Sequence, residues 1–157
     1  MKTLVLANHK GGVGKSAVAA MATADFLLSP IQLNQEAIDG VRALLTHPRV
    51  GFHKIKALLN RKLTLIGLLP TLVETTPFQR ANFAALLRHH LDLMFKLSEE
   101  GDLARIPKRS AIAEAQAAGL VLWEMKKTAA RDAWTEIEPT LRHLAGVITT
   151  KARHGPV

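Results

Sequence analysis

The sequence contains no cysteine, which excludes disulfide bonds and thiolate metal sites. Aromatic residues make up only 4%, with five Phe, two Trp and no Tyr, so a base-stacking platform for single-stranded nucleic acid is not expected. No uninterrupted apolar run is long enough to cross a bilayer, and the apolar stretch from Leu4 to Ala7 is too short for a signal peptide. These absences favour a cytoplasmic protein without a membrane partner.

Acidic residues are also few, and one long stretch of the chain has none. The chain has 21 Lys and Arg against 13 Asp and Glu, a formal charge of +8, and no acid lies between Gly40 and Val73. A polyanion such as DNA is one interpretation of this basic stretch, and a solvated face without a partner is the other. DNA contact here would be non-specific and sensitive to salt. The candidate DNA-binding residues are Lys54, Lys56, Arg61 and Lys62.

Apolar segments alternate with helical ones along the 157 residues, a length typical of one domain. The strand-like segments are apolar without polar alternation, which favours a parallel sheet covered by helices on both faces. We therefore predict a single α/β domain over residues 1–150, followed by a basic, frayed tail over residues 151–157. The predicted strands are 3–7, 26–31 and 63–69, and the predicted helices are 15–24, 34–46, 77–97, 110–119 and 128–144.

The segment HKGGVGKSA, from His9 to Ala17, has the composition of a phosphate-binding loop. Glycines let backbone N–H groups converge on an anion, and the following helix N-terminus adds its positive end. Lys15 is placed to reach terminal phosphates and the Ser16 hydroxyl to ligate Mg²⁺. The strict pattern G-x-x-x-x-G-K-[ST] is not met, because His9 occupies its first glycine position. The predicted nucleotide-binding residues of the loop are Gly11, Gly12, Val13, Gly14, Lys15, Ser16 and Ala17.

The form KGGVGKS, directly after an N-terminal strand, resembles the deviant Walker A loop of the ParA/MinD partition ATPases. The resemblance continues in order from Ala24 to about Leu144, through ADFLLSPIQLNQEAIDGVRALL, LTLIGLLPTLVETTPFQRANFAALL and IPKRSAIAEAQAAG. It implies a P-loop NTPase-like fold in three layers with a mostly parallel sheet, and ATP or ADP with Mg²⁺ as ligands.

Particular roles follow from this resemblance alone. It implies that Lys10 is the catalytic lysine, which reaches across a nucleotide-sandwiched dimer to the partner's phosphates. Lys15 and Ser16 would serve the nucleotide and Mg²⁺ of their own subunit, and Pro107 would lie near the adenine.

The family also has a switch strand and a Walker B strand that each end in aspartate, and no predicted strand here does. Asp25 precedes a strand and Asp39 lies inside a helix, so neither is a good substitute. We expect an internal segment to be absent, with the strands it carries. Their loss would leave an unpaired edge beside the first strand, which favours self-association.

These features predict a ParA-like nucleotide-binding protein of DNA partitioning, with hydrolysis weak or absent. Phosphoryl transfer needs both Mg²⁺ and a group that orients water, and the aspartates for these tasks are missing. Two alternatives stay open: an inactive module that associates with an intact relative, and a truncated product without function. The expected partners are nucleotide, a second copy of the chain, non-specific DNA and a centromere-binding adaptor protein.

Overall fold

The computed structural model describes residues 2–7, 14–98 and 100–153, and for residues 14–17 and 151–153 it describes the backbone only. Strands and helices alternate through the first half of the chain, and helices dominate the second half. The elements are β1 (Leu4–Leu6), α1 (Gly14–Thr23), β2 (Phe26–Gln32), α2 (Gln35–Thr46), α3 (Phe52–Leu58), β3 (Thr64–Thr71), α4 (Pro77–His90), α5 (Ser110–Ala118) and α6 (Thr128–Arg153).

The three strands form one parallel sheet in the order β1-β2-β3. This confirms the predicted α/β class with a parallel sheet. The register between β2 and β3 shifts once, because Leu28 pairs with Gly67 instead of Ile66. Gly67 is required at this point, since a Cβ there would lie 2.8 Å from the backbone nitrogen of Phe95.

The two edges of the sheet differ. The outer side of β3 is covered by an irregular segment, in which the Phe95 amide donates to the Leu68 carbonyl at 2.9 Å and the Ile106 amide to Pro70 at 2.8 Å. Within the described part of the chain, β1 pairs with β2 alone. The edge of β1 is therefore open, and the side chain of Leu6 is 61% exposed there.

Helices cover both faces of the sheet, which gives three layers. On one face Leu27 and Ile31 of β2 pack in the main core, which α1 to α4 complete. On the other face Leu28 packs with Leu69, Phe95 and Ala104, and the carboxyl half of α6 lies against this cluster. A third cluster joins α5 to the first half of α6. The α1–α4 core residues include Met21, Val41, Ile55 and Leu86, and the α6 residues are Leu144 and Val147.

Four sequence predictions about helices need correction. Helix α3 was not predicted, although Phe52 and Ile55 are buried at helical spacing. Helix α4 ends at His90 and not near Leu97, because Met94 bridges β3. Ser110 is the first residue of α5 and not its cap. Helix α6 continues to Arg153, whereas we expected it to end at Leu144.

The predicted N-cap of α2 is confirmed, since the Asn34 side chain accepts a hydrogen bond from the Ala37 amide at 2.8 Å. Within the described ranges, no helix has both the length and the apolarity needed to cross a membrane.

Candidate functional site

The junction between β1 and α1 lies at the carboxyl edge of the parallel sheet, where ligands bind in open α/β folds. Gly14 is the first residue of α1, so the helix begins inside the predicted loop. Lys10, Gly11, Gly12 and Val13 lie outside the described residues. Gly14, Lys15, Ser16 and Ala17 form the first turn of α1, and only their backbone is described.

Strand β1 stops short of the carboxyl ends of the neighbouring strands. Leu6 pairs with Leu28, whereas β2 and β3 stay paired up to Gln32 and Thr71. The difference is four residues along β2, or about 13 Å at the rise of a strand. The carboxyl edge of the sheet therefore has a step at β1, and the longer β2 lies beside this step.

None of the described strands ends in an acidic residue, since they finish at Leu6, Gln32 and Thr71. Glu74 follows β3 by three residues, and its carboxylate pairs with the Lys108 ammonium at 3.1 Å. Asp25 lies at the opposite, amino edge, as predicted. Its carboxylate accepts the Thr3 amide at 2.9 Å and pairs with the Lys2 ammonium at 3.2 Å. The hydrogen bond from Thr3, helped by Lys2, holds the pKa of this carboxyl below its ordinary value.

Asp39 is exposed on α2, where it accepts a hydrogen bond from the Gln35 amide group at 2.8 Å. No group of three or more metal-ligating side chains occurs among the residues that the structure describes.

A cavity of about 170 Å³ opens at the carboxyl end of β3. Its floor is apolar and includes Leu33, Pro70 and Phe83, while Arg80 and Arg105 stand at its rim. An apolar lining with polar groups at the rim is typical of small-molecule sites. The remaining lining residues are Val73, Glu74, Thr75 and Gln79.

Pro107 lies one backbone bridge away from this cavity. The Val73 amide donates to the Ile106 carbonyl at 3.1 Å, and the Lys108 amide donates to Val73 at 3.0 Å. The structure thus brings Pro107 to the same edge as the β1–α1 junction, on the far side of β3.

Gln79 organises the loop beside the cavity, and sequence reasoning missed it. Its side-chain amide donates to the Leu72 carbonyl at 3.3 Å and accepts from the Glu74 amide at 2.7 Å. Leu72 has a φ of +53°, a conformation rare for residues with a Cβ and frequent at functional sites. The sequence signal for this role was Thr76 followed three residues later by Gln79, which is a capping-box pattern at a helix start. In the structure the Thr76 hydroxyl accepts a hydrogen bond from the Gln79 backbone amide at 3.2 Å.

The basic residues lie at the other end of the molecule. Lys54 is exposed on α3, and Arg61 and Lys62 are exposed just before β3 begins, at the amino edge of the sheet. Lys56 is half-buried, with its ammonium 5.8 Å from the Phe52 ring centre. None of these four cations pairs with a carboxylate in the described part of the chain. Arg61 and Lys62 therefore lie at the edge of the sheet opposite to the end of β1 that leads into α1.

Comparison with known proteins gives relatives of one kind. The chain is 33% identical over 139 residues to Protein IncC of Escherichia coli, and 32% identical over 143 residues to a second Protein IncC of that organism. These matches cover 88% of this chain but only 34% and 35% of the relatives, so the chain spans about a third of their length. No protein-family model matches.

Solved structures share the fold. The Cyanothece apo McdA structure superposes with a TM-score of 0.58 at 17% identity, over 80% of this chain and 46% of McdA. A variant of Cyanothece McdA in complex with ATP gives a TM-score of 0.54 at 18% identity, over 81% of this chain and 45% of that one. The parallel sheet and these likenesses show a P-loop NTPase-like α/β fold.

The likeness to Protein IncC agrees with the resemblance that the KGGVGKS segment carries. The chain is a relative of the ParA/MinD-type partition ATPases.

Proposed function

We propose that this chain is a cytoplasmic ParA-like protein of DNA partitioning that binds ATP or ADP at the loop between β1 and α1. The observation that carries the proposal is the position of this junction, at the carboxyl edge of a parallel sheet and in a relative of IncC. The McdA structure solved with ATP supports nucleotide as the ligand class.

Within this proposal, the loop amides and the first turn of α1 hold the phosphates, and Lys15 neutralises their charge. The adenine lies on the β3 side of the same edge, near Pro107 and the apolar floor of the cavity. Lys10 contacts the phosphates of a second copy. Magnesium, when bound with the nucleotide, supplies charge neutralisation, and Ser16 is its protein ligand.

Hydrolysis is proposed to be weak or absent. The reaction requires a group that orients the attacking water and a carboxylate that supports the metal site. The described strands end at Leu6, Gln32 and Thr71, and the nearby Asp25 is engaged at the amino edge. Glu74, which follows β3, pairs with Lys108, so no described strand presents an acid that is placed for turnover.

Binding and turnover can be tested separately. A fluorescent ATP analogue with Mg²⁺ should bind the wild-type chain, and Lys15→Ala should weaken this binding about tenfold or more, since it removes a charge-assisted hydrogen bond. Lys126→Ala is the matched control, because Lys126 is exposed and forms no ion pair within the described residues. Phosphate release should stay at background. Lack of analogue binding by the wild-type chain, or turnover that Lys15→Ala abolishes, would contradict the proposal.

Non-specific DNA contact is part of the same proposal. Lys54, Lys56, Arg61 and Lys62 carry positive charge with no acid between Gly40 and Val73 to offset it. If each of the four neutralises one phosphate, the logarithm of DNA affinity falls with the logarithm of salt at a slope of about −3.6. Charge reversal at these four positions should abolish retention of a random duplex. Retention that survives reversal would remove DNA from the proposal.

A second candidate function is supported by the open edge of β1. An unpaired edge is a template for another strand, so the chain could serve as an inactive partner of a second copy or of an intact relative. The Ala7 amide donates to the Leu28 carbonyl of β2, so the amide of the preceding residue, Leu6, faces the open edge. Leu6→Pro removes this donor and should reduce association measured by analytical ultracentrifugation. Association equal in wild type and variant would exclude the β1 edge, and a strictly monomeric wild-type chain would exclude self-association. A centromere-binding adaptor is the further partner that we propose for the partition role.

A further inference from the structure

Two neighbouring leucines at the end of α3 are turned toward solvent. Leu58 is 66% exposed and Leu59 is 62% exposed. Helix α3 is held on the core from its other side, where Phe52 and Ile55 are 6% and 1% exposed. Folding of the described chain therefore does not account for this apolar pair.

Cations flank the leucines on both sides. Lys54 lies one helical turn before Leu58, so the two side chains share a face of α3. Arg61 and Lys62 follow Leu59 directly after Asn60, and all three cations are exposed. The result is an apolar pair flanked by cations, in a stretch without an acid from residue 41 to residue 73. The Asp25 carboxylate, at the same edge of the sheet, is paired with Lys2.

The turn that carries this pair is anchored. The Asn60 side chain donates to the Met21 carbonyl at 2.9 Å and to the Ala24 carbonyl at 2.7 Å, both at the end of α1. The Leu59 amide also donates to the Ile55 carbonyl at 2.8 Å. The leucines thus project from a fixed base, which lowers the conformational cost of inserting them into a partner.

Charge selects the partner. A second copy binding symmetrically through this surface would bring Lys54, Arg61 and Lys62 of both copies together, and that repulsion disfavours it. A polyanion meets the cations favourably. Phosphate contacts alone leave two leucines without a role, whereas proteins that bind the minor groove insert apolar side chains between base steps and kink the duplex.

We propose that Leu58 and Leu59 form an apolar wedge that enters a base step of duplex DNA while the flanking cations contact its phosphates. The proposal rests on the DNA contact proposed above and adds a mode of binding to it. The partner is bendable double-stranded DNA, because kinking costs least at flexible pyrimidine–purine steps.

The test compares the wild-type chain with the double variant Leu58→Ala/Leu59→Ala on a duplex of about 30 base pairs that carries a fluorescence-transfer pair at its ends. The wild-type chain should shorten the end-to-end distance. The double variant should bind about tenfold more weakly at fixed salt without shortening the duplex, because it loses the wedge. Its salt slope should stay near the wild-type value of about −3.6, since the cations are unchanged.

The matched control is Leu120→Ala, which removes a leucine that is 48% exposed just after α5, with no Lys or Arg within five residues on either side. It should bind and bend the duplex like the wild-type chain. A double variant that bends DNA and binds it as the wild-type chain does would overturn the wedge, as would a wild-type chain that binds with the expected salt slope but never bends.

Failure of the underlying DNA proposal has a different signature. If the wild-type chain shows no salt-dependent binding to any duplex, the DNA contact itself is wrong and the wedge falls with it. If the double variant instead loses a dimer that the wild-type chain forms in sedimentation, the leucines bind a second copy and the wedge is overturned while the DNA contact stands.

Discussion

Replacing Asn60 by alanine should loosen the attachment between α3 and the end of α1. The variant loses two hydrogen bonds, of 2.9 and 2.7 Å, to the carbonyls of Met21 and Ala24. At about 0.5–1.5 kcal/mol each, their loss should lower the free energy of unfolding by about 1–3 kcal/mol. The melting temperature should fall by about 2–4 °C for each kcal/mol in a chain of this size. Urea unfolding followed by circular dichroism measures the change.

Two further variants make this prediction refutable. Asn60→Asp keeps the side-chain size but replaces the donor with carboxylate oxygens that face two carbonyl oxygens, so it should destabilise at least as much as Asn60→Ala at neutral pH. Gln116→Ala is the control, because Gln116 is exposed on α5 and should change stability by less than about 0.5 kcal/mol. A free energy of unfolding for Asn60→Ala within that same range of wild type would show that the anchor contributes nothing.

Two other predictions concern glycine and aspartate positions. Gly67→Ala should lower the free energy of unfolding by about 2 kcal/mol or more, because its Cβ would lie 2.8 Å from the Phe95 nitrogen. Gly146→Ala has open space around its Cβ and should raise the free energy of unfolding by up to about 1 kcal/mol. Equal urea midpoints for the two variants would contradict this contrast. Asp25→Asn should be less stable than wild type at pH 7. The pKa of the Asp25 carboxyl is lowered in the folded state, so its contribution to stability is present above the unfolded pKa near 3.8 and is lost as pH falls through the folded pKa. The urea midpoints of wild type and Asp25→Asn should therefore converge below about pH 4. A difference that stays constant with pH would contradict the pairing of Asp25.

Features that depend on neighbours in sequence were predicted well. The three strands, the cap at Asn34 and the parallel arrangement follow from apolar runs, from side-chain capping and from alternation of strands with helices. The position of Asp25 at the amino edge also followed, because it precedes a strand. The loop composition and the resemblance it carries led to the right family.

Features that depend on contacts between distant segments were missed. The apolar spacing of α4 continues beyond His90 in the sequence, but the helix ends there because Met94 forms a backbone bridge with Leu68 of β3. Helix α3 is short, and burial of Phe52 and Ile55 against α1 and α2 stabilises it more than its own propensity does. Periodicity contains no information about either contact.

In the candidate site, too, local features were predicted from the sequence and features that depend on distant contacts were not. Glycine spacing and the loop lysines identify a phosphate-binding segment because that chemistry is local, requiring backbone amides and charge within a few residues. The basic stretch comes to the amino edge, opposite to the end of β1 that leads into α1, only because β3 pairs with β2 and sets Arg61 there. The anchoring of Leu58 and Leu59 is likewise non-local, because Asn60 reaches carbonyls more than thirty residues away in sequence.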